Sequence, residues 1–111
     1  MSDRVARNID FLTVLTKCNT KQRKALLEHC DKDLILTICE LAINVLKGVV
    51  KLSPSQKARL RRFRKHLRTL ADRQVLFKHK KRYIVQSGGS FLLALIPPVI
   101  SVLKELFSQK Q

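Results

Sequence analysis

Asp33-Leu34-Ile35-Leu36-Thr37-Ile38-Cys39-Glu40-Leu41-Ala42-Ile43-Asn44-Val45-Leu46 is the stretch that decides the fold. On a helical period, Leu34, Ile35, Ile38, Cys39, Leu41, Ala42, Val45 and Leu46 leave little polar arc, the pattern of a central helix surrounded by others. Asp31 or Asp33 supplies its start signal, and Gly48 ends it by taking the left-handed conformation cheaply. Upstream, Val5, Ile9, Leu12 and Leu15 or Thr16 recur at helical spacing and predict one helix over residues 3–17. Asn19 or Thr20 caps a second helix, with Ala25, Leu26, Leu27 and Cys30 on its inner side. Downstream, Val49-Val50-Lys51-Leu52 is extended and too short to read as a strand.

Ser53-Pro54-Ser55-Gln56 then gives the clearest start signal in the chain. Ser stands at the N-cap, Pro at the first helical position and Gln three residues after the cap, which is a capping box. A continuous fourth helix from Pro54 to about Ala71 follows, with Leu60, Phe63, Leu67, Leu70 and Ala71 on a narrow inner stripe. Asp72-Arg73-Gln74 breaks it, and Lys78 to Val85 predicts a short fifth helix. Ser87-Gly88-Gly89-Ser90 has linker composition. Phe91 to Leu103 carries no charge, but a membrane span needs roughly 20 apolar residues and Pro97-Pro98 would break this run midway. Past Pro98, the spacing of Val99, Val102, Leu103, Leu106 and Phe107 predicts a short terminal helix.

These signals predict an all-α fold, a compact bundle of about four to five short helices with a hydrophobic C-terminal segment. Three Gly, three Pro and no Trp leave little material for a sandwich or barrel, while 45% hydrophobic residues argue against disorder. With 111 residues the chain is expected to be one domain in three parts. Residues 1–50 form a helical scaffold, 51–86 the basic helices, and 87–111 a Gly-Gly hinge followed by the hydrophobic segment.

Charge follows the same division. The net +15 arises from 23 basic and 8 acidic side chains, giving a pI near 10.5. Residues 51–86 hold 13 of the basic groups and one acid, Asp72, so this third of the chain carries +12. Such a balance implies an anionic partner, nucleic acid or an acidic membrane surface. Eight acids and three His are poor equipment for general acid–base chemistry, and no enzyme is expected. Cys18, His29, Cys30 and Cys39 lie within 22 residues but contain no C-x-x-C pair, so neither a metal nor a cofactor is expected. Cys30 and Cys39 occupy apolar-periodic positions, as reduced core thiols of an intracellular protein do, and the N-terminus lacks a secretory pattern.

Lys57, Arg59, Arg61, Arg62, Arg64, Lys65, Arg68, Arg73, Lys78, Lys80, Lys81 and Arg82 are the expected nucleic-acid-binding residues. An ordinary solvated helix mixes signs to gain i,i+4 pairing, yet no acid stands between Lys51 and Ala71. Duplex DNA presents about one charge per 1.7 Å of axis, which a rod of cations matches, and the Arg fork grips phosphate oxygens bidentately. His66 and His79 are expected to add phosphate contacts. Gln56 and Gln74 stand only at the ends and no aromatic lies on the basic face, which disfavours base reading and single-strand stacking. Phe91, Leu92, Leu95 and Ile96 are the candidate partner or membrane contacts, with core packing as the default reading.

Lys80-Lys81-Arg82, Ser87-Gly88-Gly89-Ser90 and Phe91-Leu92-Leu93-Ala94-Leu95-Ile96-Pro97-Pro98-Val99-Ile100 together resemble the end of the adenovirus core peptide X (mu) precursor. That family carries a basic region, then Gly-Gly, then a Leu-, Ile- and Pro-containing tail. The wider pattern from Leu52-Ser53-Pro54-Ser55-Gln56-Lys57 to Val85-Gln86-Ser87-Gly88-Gly89 is similar to small basic proteins of Maverick/Polinton elements and adintoviruses, proposed virion core proteins. The resemblance covers residues 51–103 and implies a viral core protein of the virion and host nucleus. Its partner would be double-stranded DNA, condensed by charge neutralisation, with capsid proteins or a second copy meeting the C-terminal segment. The competing expectations are a helix-turn-helix regulator that reads sequence and a membrane-active protein using the C-terminal segment.

Overall fold

Eight helices follow one another in the computed structural model, which describes the backbone of residues 3–109 and side chains as far as Glu105. They are α1 (Asp3–Arg7), α2 (Ile9–Lys17), α3 (Thr20–His29), α4 (Lys32–Leu46), α5 (Pro54–Arg61), α6 (Arg64–Ala71), α7 (Phe77–Gln86) and α8 (Leu92–Gln109). No strand occurs among the described residues, so the all-α expectation holds, whereas four to five helices was an undercount.

The central helix is α4. It buries Leu34, Ile35, Thr37, Ile38, Cys39, Leu41 and Ala42, and packs against α1, α6 and α8. Asp31 caps it, its Oδ1 accepting from the Leu34 amide at 2.9 Å. Gly48 closes it at φ +75°.

Both extra breaks have one cause. The predicted 3–17 helix divides because α1 docks on α4 while α2 docks on α8. Asn8 sits at the joint, where its Nδ2 donates to the Arg4 carbonyl (2.8 Å) and to Asp33 Oδ2 (2.9 Å). The predicted 54–71 helix divides likewise, because α5 docks on α8 and α6 on α4. At that bend the Arg62 and Phe63 amides donate three residues back, to Arg59 and Leu60, the tighter 3₁₀ pattern. A straight rod could not serve two differently directed partners.

Helix α8 runs through Pro97 and Pro98 instead of starting after them. Pro97 has no amide to give the Leu93 carbonyl, but Pro97 and Leu93 both face solvent, where water can take that acceptor. The helix buries Leu92, Leu95, Ile96, Val99 and Leu103, with Phe91 just before it. The side chains of Leu106 and Phe107 lie outside the described residues.

The 87–90 stretch, linker-like in sequence, is a docked turn. Gly88 and Gly89 are buried at φ +67° and +69°. A Cβ on Gly88 would stand 2.9 Å from Thr20 Cγ2, and one on Gly89 2.9 Å from Leu27 Cδ1. Only glycine fits both the conformation and the space. The Cα radius of gyration, 13.3 Å, matches the roughly 13 Å expected of one compact domain of this length.

Candidate nucleic-acid interface

The capping box forms as the sequence predicts. Ser53 Oγ accepts from the Gln56 amide at 3.2 Å, and Gln56 Oε1 accepts from the Ser53 amide at 2.9 Å. The helix so started carries Arg61 and Arg62 to the bend, beyond which α6 presents Arg64, Lys65 and Arg68. These five exposed cations line one shallow groove of about 500 Å³, whose only acid is Asp72. Among the described residues the ion pairs are Arg4–Asp33 (3.1 Å) and Arg7–Asp33 (3.4 Å), so no cation of α5 or α6 is paired. The bend thus gathers five cations around a single acid.

The other expected phosphate-binding residues are distributed around this groove rather than in it. Lys57 shares a small apolar-floored pocket with Leu46, Leu52 and Leu60, where Arg61 and Arg64 reappear. Arg59 lines another with Arg62, Phe63, Ser90 and Leu93. Arg73 is exposed in the α6–α7 connection. Helix α7 divides its cations: Lys78, Lys81 and Arg82 face a cleft shared with Lys24 of α3. Lys80 instead faces Asp3, Arg4, Arg7 and Glu40, a mixed-sign surface. Lys24 was missed in the sequence because it lies in the nearly neutral scaffold.

His66, expected on the basic face, is instead turned partly inward. It sits half-buried in a ring cluster, 5.6 Å from Phe63, 5.0 Å from Tyr83 and 5.4 Å from Phe91 between centroids. Its Nδ1 is buried without a hydrogen-bond partner. Burial, and then the neighbouring Lys65 charge, push its pKa below the ordinary histidine value. His79 is exposed on α7.

Cys39 is buried, while Cys18 and Cys30 are half-buried, all three as free thiols. Burial holds the Cys30 and Cys39 thiols above their ordinary pKa. Among the described residues no three of His, Cys, Asp and Glu gather as metal ligands would. The candidate partner contacts Phe91, Leu92, Leu95 and Ile96 are fully buried core residues, so any contact through them needs α8 undocked. Leu93 is their exposed neighbour, at 41%. No helix among the described residues is long and apolar enough to cross a membrane. Comparison with protein-family models, with curated proteins and with solved structures finds no match for the chain.

Proposed function

We propose that the chain is a non-enzymatic double-stranded DNA-binding and condensing protein that responds to charge rather than sequence, serving as a core protein in a virion and in the host nucleus. One observation carries this reading. Arg61, Arg62, Arg64, Lys65 and Arg68 converge, exposed and unpaired, on one groove at the α5–α6 bend. Packing like charges there destabilises the free protein, and a polyanion removes that penalty. The groove offers no aromatic face for single-stranded bases and, besides Thr69 and Asp72, only cations and Val75. The viral role rests on the resemblance of residues 51–103.

A salt titration of duplex binding tests the reading. Five phosphate contacts correspond to a log–log slope of about −4 to −5, the same for duplexes of unrelated sequence. Replacing Arg61, Arg62, Arg64 and Arg68 by Gln should flatten that slope by about 3 to 4. A preference of about 4 kcal/mol or more for one site would replace this reading with a sequence-reading regulator.

A further inference from the structure

The cleft between α3 and α7 is a second cationic surface, lined by Lys24, Lys78, Lys81 and Arg82 around Phe77 and Val85. Its volume is about 490 Å³ and Glu28 is the only acid on its walls. Lys32 adds a further cation at its edge, with Nζ 5.1 Å from the Phe77 ring centroid. None of the cleft's lining residues belongs to the α5–α6 groove.

Helix geometry sets the two surfaces apart. At about 100° per residue, Lys78, Arg82 and Val85 occupy one flank of α7, against α3. Tyr83 and Lys80 occupy the opposite flank, where the Tyr83 ring meets His66 of α6. Helix α6 in turn buries Leu67 and Leu70 and directs Arg64, Lys65 and Arg68 away from α7 and the core. The His66–Tyr83 ring contact thus lies between the two cationic surfaces, which share no residue. A straight duplex on one leaves the other open.

We propose that each chain holds two phosphate backbones at once, one in the α5–α6 groove and one in the α3–α7 cleft, and so bridges two duplex segments. This rests on the duplex-binding reading and adds Lys24 as a contact from outside the basic stretch. Condensation then follows from cross-linking as well as from neutralisation.

The test mixes donor-labelled and acceptor-labelled short duplexes with the full chain. Energy transfer should rise at substoichiometric protein and fall at excess, when each duplex takes its own chain. The K24Q/K78Q/R82Q variant changes only exposed side chains. It should lose bridging by about tenfold and bind one duplex per chain instead of two, with a shallower salt slope for the contacts removed. Bridging by this variant equal to that of the unaltered chain would overturn the proposal, assigning the cross-link to self-association. Tight binding of one duplex per chain without energy transfer would also overturn it while leaving the duplex-binding reading intact. Failure of the unaltered chain to bind any duplex would overturn both.

Discussion

Arg23 Nε donates to the Gly88 carbonyl at 2.9 Å, joining two residues 65 positions apart in the chain. The same guanidinium donates from Nη1 to the Cys18 carbonyl at 2.8 Å, and Arg23 is only 2% exposed. A buried charge is costly unless its donors are engaged, and here backbone carbonyls engage them. The contact fixes the turn that delivers α8 into the core. It is the seam between the N-terminal scaffold and the C-terminal segment.

Removing that seam should be expensive. Arg23→Ala leaves the buried Gly88 carbonyl and the half-buried Cys18 carbonyl without this donor and a cavity beside Leu27, a loss of about 3 kcal/mol in denaturant unfolding. Gly89→Ala adds crowding against Leu27, Arg23 and Leu92 to the left-handed strain, together about 3 kcal/mol. Gly48→Ala, at φ +75° with open space around it, should cost only the strain of about 1 to 2 kcal/mol. Equal costs at the two glycines would mean that the 88–89 turn is not docked.

His66 makes stability depend on pH in a defined direction. Its folded pKa is lowered by burial and by Lys65, so the unfolded chain takes up the proton first as pH falls. Stability from this group is therefore complete above the ordinary value of 6.5 and is lost as pH falls from there through the folded pKa. Asp33, whose carboxylate is held low first by the Asn8 hydrogen bond and then by Arg7 and Arg4, acts in the same direction but only as pH falls below 3.8. Melting curves between these two values should thus report His66. The His66→Phe variant, at home among Phe63, Tyr83 and Phe91, should lose that dependence, and an unchanged profile would show the imidazole to be freely hydrated.

The dispersal of the basic stretch predicts unequal contributions from lysines that look alike in sequence. Lys65 lines the α5–α6 groove, and Lys65→Gln should reduce the magnitude of the salt slope by about 0.9. Lys80 faces Asp3 and Glu40, and Lys80→Gln should leave the slope where it is. A similar loss at both positions would make the interface a diffuse cloud of charge.

What could be read from the sequence was local. The apolar run of α4, the Ser53–Gln56 box and the Gly48 ending each depend on residues within one or two turns, and each stands as expected. The breaks at Asn8 and at Arg62–Phe63 were hidden because they answer to partners elsewhere. Asn8 bonds to a residue 25 positions away, and Phe63 lies beside Phe91 at 6.5 Å. The Gly-Gly pair showed its conformational freedom in sequence but not its burial, which Arg23 and Thr20 impose from the start of α3. Five of the twelve expected phosphate-binding cations gather in one groove, since that grouping needs a bend that no periodicity signals.

The same bend leaves α6 starting on the wrong charge for its own stability. Phe63 gives it no side-chain cap, its first turn has no acid, and Arg64 and Lys65 stand at the positive end of the helix dipole. Arg64 also repels Arg68 one turn later. Arg64→Glu would reverse both effects at once. An acid at the first helical position is worth about 0.3–1 kcal/mol, and an i,i+4 Glu–Arg pair about 0.2–0.5 kcal/mol. The variant should therefore be more stable than the unaltered chain by about 1 kcal/mol in low-salt denaturant unfolding. Its duplex affinity should fall, with the salt slope flattened by more than 1 because a contact is replaced by a repulsion. A gain in stability combined with a loss of binding is the signature of charge retained for an external polyanion. Loss of both would show that Arg64 serves the fold itself, and retention of binding would move the phosphate contacts off α6.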